Sequence, residues 1–210
     1  DPATLFSGIG HAPPPVTADE AGRAPENAES LDLPDWLVPQ MAESLGPDLE
    51  AVAQALRQRA PVFLRVNLRR ATMAQAITAL GAEQIVAQPH PLADTALEVT
   101  SGARKIQTSR AYLTGVVELQ DAASQAVVNA LLLRDDMRVL DHCAGGGGKT
   151  LAMAARARLT LVAHDASPAR MRDLTARAAR AGAQVTLSDA PEALAPFDLI
   201  LADAPCSGSG

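Results

Sequence analysis

The chain has 210 residues, 48% hydrophobic but only 2% aromatic, so its core must be built from Leu, Val, Ile and Ala. No apolar run approaches the roughly 20 residues of a membrane helix. Residues 1–10 lack the basic-then-apolar pattern of a secretory leader, and the expected setting is cytoplasmic, away from membranes. The formal charge of −6 is unevenly spread: residues 1–50 carry ten acidic side chains against one basic (Arg23), whereas residues 51–210 carry fourteen against seventeen.

Residues 1–33, with Pro13-Pro14-Pro15 and scattered acids without a period, read as linker or tail. A small α+β module is expected over 34–115. Its elements are helices over 35–45 and 47–59, a strand over 61–67, a helix over 72–80 stopped by Gly81, and short strands over 84–87 and 96–99. Within it Arg57, Arg59, Arg65, Arg69 and Arg70 follow one another with no acid between them, and Arg104, Lys105 and Arg110 form a second basic knot. Such patches can meet nucleic-acid phosphates or be ordinary solvated faces.

The pattern changes near Val116. An apolar helix is expected over 121–133, then strands over 137–141, 159–165, 184–189 and 197–203, with helices over 149–156 and 168–181. Alternating strands and helices imply an α/β domain over 116–210 with a parallel, doubly wound, Rossmann-like sheet. Each of the four strands ends in an acid: Asp141, Asp165, Asp189 and Asp203. Ligands of open parallel sheets bind outside the carboxyl ends of the strands, so these carboxylates are expected to converge on one crevice. A single Asp at such a place is commonplace as a turn or cap residue; four in register are not explained by capping alone.

The run from Asp141 to Thr150 reads DHCAGGGGKT. A phosphate-binding loop of the form G-x-x-x-x-G-K-[ST] would need glycine at 143, which is Cys143, and G-x-G-x-x-G would need glycine at 150, which is Thr150. The spacing that fits is acid-x-x-x-G-x-G on Asp141, Gly145 and Gly147, the form in which the loop wraps the methionine part of S-adenosylmethionine. Asp165 then stands where an acid holds ribose hydroxyls, and Asp189 where one could face an adenine edge. Of the two cysteines, too few for a disulfide framework, Cys206 follows a rigid proline after strand four, placed for covalent catalysis or for filling a tight turn. No metal is called for.

These residues resemble a known family. DHCAGGGGKT and Asp203-Ala204-Pro205-Cys206-Ser207-Gly208 are similar to the D-x-C-A-[AG]-[PG]-G-G-K-T and D-A-P-C-S-G motifs of the Sun-type, RsmB-like RNA cytosine-C5 methyltransferases. Upstream, residues 119–125 (LQDAASQ) resemble that family's approach to the domain, and Trp36-Leu37 with Arg65-Val66-Asn67 its small RNA-binding module. The resemblance implies a class I methyltransferase fold of which 116–210 holds the first four strands, and methylation of cytosine C5 in RNA, with small-subunit ribosomal RNA as partner. It implies that Cys143, Ala144, Gly145, Gly146, Gly147, Gly148, Lys149, Asp165, Asp189 and Asp203 bind S-adenosylmethionine. It also makes Cys206, with Asp203 beside it, a residue of product release, the attacking cysteine coming from a motif after Gly210. Two alternatives stay open: a cytosine-C5 methyltransferase with Cys206 as its own nucleophile, and a cofactor- and RNA-binding module without turnover.

Overall fold

The computed structural model describes residues 5–20, 22 and 24–204. The chain divides into two compact units, Asp1–Ala60 and Pro61–Gly210. In the first, helices α1 (Val38–Leu45) and α2 (Leu49–Leu56) follow short 3-10 turns at Ala18–Glu20 and Asn27–Leu31. Part of the expected tail is therefore packed: Ala28 is buried, and Arg57, just past α2, holds Asp32 at 2.8 Å and the Ser30 carbonyl. The two helices expected to open the small module belong to this unit.

The second unit contains two four-stranded sheets. The first is built from β1 (Val62–Val66), α3 (Met73–Ala82), β2 (Val86–Pro89), β3 (Ala96–Ser101), the short α4 (Arg110–Leu113) and β4 (Val117–Leu119). Its order is β2-β3-β1-β4 with every pair antiparallel, the βαββαβ arrangement of ferredoxin-like units. Thr72 starts α3 through a reciprocal capping box with Gln75, satisfying two otherwise orphaned N–H groups. Leu64, Val66, Leu80, Ile85, Leu97 and Val117 form its core. β4 lies beyond the boundary expected at 115, because its three residues pair with β1, Leu64 standing opposite Leu119.

The second sheet follows helix α5 (Ala122–Asn129), whose Asp121 side chain caps it. β5 (Arg138–Asp141), α6 (Gly148–Arg156), β6 (Thr160–Ala163), α7 (Leu174–Ala181), β7 (Thr186–Leu187) and β8 (Leu199–Leu201) alternate as expected. The order β7-β6-β5-β8, all parallel, is half of a doubly wound Rossmann-like sheet. The expected helix over 168–181 is broken into a 3-10 turn, Pro168–Met171, and α7. The strand expected over 184–189 shrinks to two exposed residues, since β7 is an edge strand paired with β6 alone. Among the described residues no helix is long and apolar enough to cross a membrane.

Candidate functional site

Strands β6 and β7 lie on one side of β5, and β8 on the other. At that reversal a cavity of about 430 Å3 opens beyond the strand ends. Asp141 ends β5, while Asp165, Asp189 and Asp203 each stand two residues past β6, β7 and β8. Cys143, Ala144, Gly145, Gly146, Gly148, Lys149, Asp141 and Asp203 line the cavity.

The acids have different tasks. Asp141 is 1% exposed and accepts a hydrogen bond from Thr150 Oγ1 at 2.7 Å. Burial pushes its carboxyl pKa up, against the Thr150 bond and the nearby Lys149, while Asp203 adds to the rise. Asp165 is equally buried but accepts from the Ser167 N–H and the Gly145 N–H, both at 2.9 Å. The Ser167 N–H above all, then the Gly145 N–H and the Arg170 guanidinium at 3.5 Å, hold its carboxyl below the usual range against the effect of burial. Asp165 thus fastens the glycine loop to the end of β6 from behind. Asp203 is half-exposed and takes Lys149 Nζ at 2.6 Å. The structure brings neither Asp189 nor the Asp165 carboxylate to the cavity lining: Asp189 is exposed beside the short edge strand, and Asp165 is buried behind the glycine loop. Cys143 is a half-buried free thiol. Cys206 lies outside the described residues.

Gly147 is the N-cap of α6 at φ +80°, in the left-handed region. A Cβ there would lie 2.1 Å from Leu174 Cδ1, so only glycine lets the loop turn into α6 against α7. Lys149 is engaged by Asp203, and Asp141 sits buried under the loop. A negatively charged phosphate would meet two carboxylates there, with Lys149 already paired to Asp203 and the lining Arg170 guanidinium shared with Asp165 at 3.5 Å, whereas a ligand without phosphate, with hydroxyls or positive charge, suits this donor and acceptor set.

Sequence reasoning missed four lining residues: Gln120, Ser124, Arg170 and Ala204. Gln120 and Ser124 flank the Asp121 cap, whose sequence signal speaks only of a helix start. Arg170, five residues past Asp165, carries no separate signal. The basic run at 57–70 needs correcting. Arg65 is 3% exposed and faces the interior, donating to Gly148 O at 2.7 Å and to Gln120 Oε1. Arg69 and Arg70 are exposed but rest on the Ala154 and Ala181 carbonyls, each at 3.2 Å. The strand alternation that places Val62, Leu64 and Val66 in the core leaves Arg65 standing opposite Glu118 of β4, a pairing of strands invisible in the local sequence.

A ferredoxin-like sheet joined to a Rossmann-like sheet, with an acid-fastened glycine loop at the switch point, places the chain in the class of open α/β proteins whose ligand crevice lies outside the carboxyl ends of the strands. Comparison with known proteins carries this further. The ferredoxin-like domain of RsmF/B-like methyltransferases matches residues 33–106, and the 16S rRNA methyltransferase RsmB/F family matches residues 128–210. The chain is 31% identical over 206 residues to ribosomal RNA small subunit methyltransferase B of Xanthomonas campestris, covering 93% of this chain and 45% of that protein. To the protein of the same name from Xylella fastidiosa it is 33% identical over 199 residues, covering 90% and 45%. A solved methyltransferase homolog from Pyrococcus horikoshii superposes with a TM-score of 0.73 at 27% identity, covering 87% of this chain and 63% of that one. The chain spans about half the length of the curated relatives it matches. It belongs to the RsmB/F family of 16S rRNA methyltransferases.

Proposed function

We propose that this chain supplies the S-adenosylmethionine site of an enzyme that methylates cytosine C5 in RNA, with small-subunit ribosomal RNA, named for its relatives, as substrate. The observation that carries the reading is the glycine loop fastened to Asp165 at the switch point, with Lys149 turned to Asp203 instead of an open anion site. The cavity volume falls in the range of small-molecule sites, roughly 300–1,000 Å3. When bound, S-adenosylmethionine supplies an electrophilic methyl group. The backbone of residues 143–149 would hold it, Asp165 would keep that loop in place against the ribose side, and Asp203 and Asp141 would face its polar end. Asp189 is left out of this set because of its exposure at the sheet edge.

Cytosine C5 is a weak nucleophile. A cysteine thiolate that adds to C6 makes C5 electron-rich, and after methylation C5 loses its proton and the thiolate leaves. We assign the release step to Cys206 and the attack to a cysteine of a later motif, both on the resemblance of the DAPCSG run. A ribosomal RNA substrate places the protein in the cytoplasm.

The test uses the protein that carries this chain together with the later motif, tritiated S-adenosylmethionine and unmodified small-subunit rRNA. Label should appear at a cytosine that bisulfite sequencing reads as protected, and Cys206→Ala should accumulate a covalent protein–RNA band on a denaturing gel. Label on another base would contradict the C5 assignment. Loss of both label and band in Cys206→Ala would make Cys206 the nucleophile.

A further inference from the structure

We propose that Arg65, on the ferredoxin-like sheet, is a positioning residue for the glycine loop, acting with Arg177 through a shared buried counter-charge, Glu118. The inference rests on the cofactor reading above for its consequence, though not for its geometry. Arg65 and Glu118 stand opposite one another in the β1–β4 register. Both are buried. Arg177 and Arg180, on α7, reach the same carboxylate, at 3.6 and 2.7 Å. From this cluster two guanidiniums reach out to the loop: Arg65 donates to Gly148 O at 2.7 Å, and Arg177 donates to Gly146 O. Arg65 also holds Gln120, whose side chain lines the cavity.

A buried guanidinium is costly unless paired, and Arg65 Nε is without a hydrogen-bond partner in this structure. Burial lowers the Arg65 pKa to about 10, Glu118 opposing the fall and Arg177 adding to it. A core that needed only stability would accept an apolar side chain here. What an apolar side chain cannot do is fix a carbonyl. A planar trans peptide points its C=O and N–H in opposite directions, so holding Gly148 O on the Arg65 side sets the Lys149 N–H on the other. That N–H belongs to the first turn of α6, among the donors no intrahelical carbonyl satisfies. The ferredoxin-like sheet therefore sets the shape of the loop in the neighbouring sheet.

The test compares the chain with Arg65→Lys, Arg65→Met and, as a control that contacts Glu118 but no loop carbonyl, Arg180→Lys. Each is followed by thermal melting, by amide hydrogen exchange of residues 145–149 without ligand, and by calorimetric titration with S-adenosylhomocysteine. Gly148 O and Gln120 Oε1 are both held by Arg65 Nη1, a position at the far end of the guanidinium that the shorter lysine ammonium does not reach with the same fixed donor directions. Both Arg65 variants should stay folded, exchange the loop amides about tenfold faster and bind S-adenosylhomocysteine about tenfold more weakly, the scale of one charge-assisted hydrogen bond. Arg180→Lys should leave loop exchange and affinity unchanged. Loop exchange in Arg65→Lys equal to the parent chain, or an acceleration of the same size in Arg180→Lys, overturns the positioning role. Should the parent chain not bind S-adenosylhomocysteine, the cofactor reading fails, while loop exchange still decides the role of Arg65.

Discussion

Replacing Gly147 with alanine tests how tightly the loop is locked. The residue sits at φ +80°, where an L side chain costs roughly 1–2 kcal/mol. The added Cβ would stand 2.1 Å from Leu174 Cδ1 and 3.1 Å from Leu174 Cγ. Leu174 is fully buried in a cluster with Ala144, Leu151, Ala163, Met171 and Ala178, so overpacking adds about 1–3 kcal/mol. Alanine's smaller unfolded-state entropy returns under about 1 kcal/mol, leaving a net loss of about 2–4 kcal/mol. Urea unfolding followed by circular dichroism measures this directly. Gly81→Ala is the comparison: Gly81 lies inside α3 with nothing within 4 Å of its Cβ position, and there alanine should stabilise by about 0.5–1 kcal/mol. A Gly147→Ala variant within about 0.5 kcal/mol of the parent, the ordinary range of a neutral surface change, would refute the reasoning.

The two buried acids should respond to pH in opposite senses. The Asp165 carboxyl is lowered in the fold, so its contribution is full above about pH 4 and is lost as pH falls through its folded value; the parent's stability margin over Asp165→Asn should shrink on acidification in a pH series of melts. The Asp141 carboxyl is raised, so its contribution is full below about pH 4 and lost as pH rises through the folded value, and the margin over Asp141→Asn should shrink in the alkaline direction. Thr150→Val removes the donor to Asp141 Oδ2 and should cost about 1–3 kcal/mol by urea unfolding. Lys149→Met breaks a pair with a half-exposed Asp203 and should change stability by less than about 1 kcal/mol.

The parallel sheet was legible because apolar runs ending in Asp repeat at regular intervals, and the glycine loop because its spacing excluded the phosphate-binding forms. The resemblance residues Arg65, Asn67, Gln120 and Gln125 turn out to share a task that their sequence does not state. Asn67 donates to Gly115 O and Ala181 O, Gln125 to Leu64 O and Gln120 O, and Arg65 to Gly148 O, so these three satisfy backbone groups of the second unit, while the Gln120 side chain accepts from Arg65. A polar residue in an apolar strand can face solvent or a buried partner, and only the pairing of β1 with β4 decides. The same limit explains Asp189: its strand-like neighbours give no sign that the ladder beside it would hold only two residues. Local sequence likewise gave no reason to assign 117–119 to the first sheet, since a three-residue strand takes its place from its partner.

The central claim is that the switch-point cavity binds S-adenosylmethionine and not a nucleotide phosphate. Calorimetric titration of the chain with S-adenosylhomocysteine, ATP and NAD, repeated on Asp165→Ala, tests it most directly. S-adenosylhomocysteine alone should bind, and removing the Asp165 carboxylate should weaken it by about 1.5–3 kcal/mol, roughly ten- to a hundredfold. Tight binding of ATP with no response to S-adenosylhomocysteine would contradict the claim.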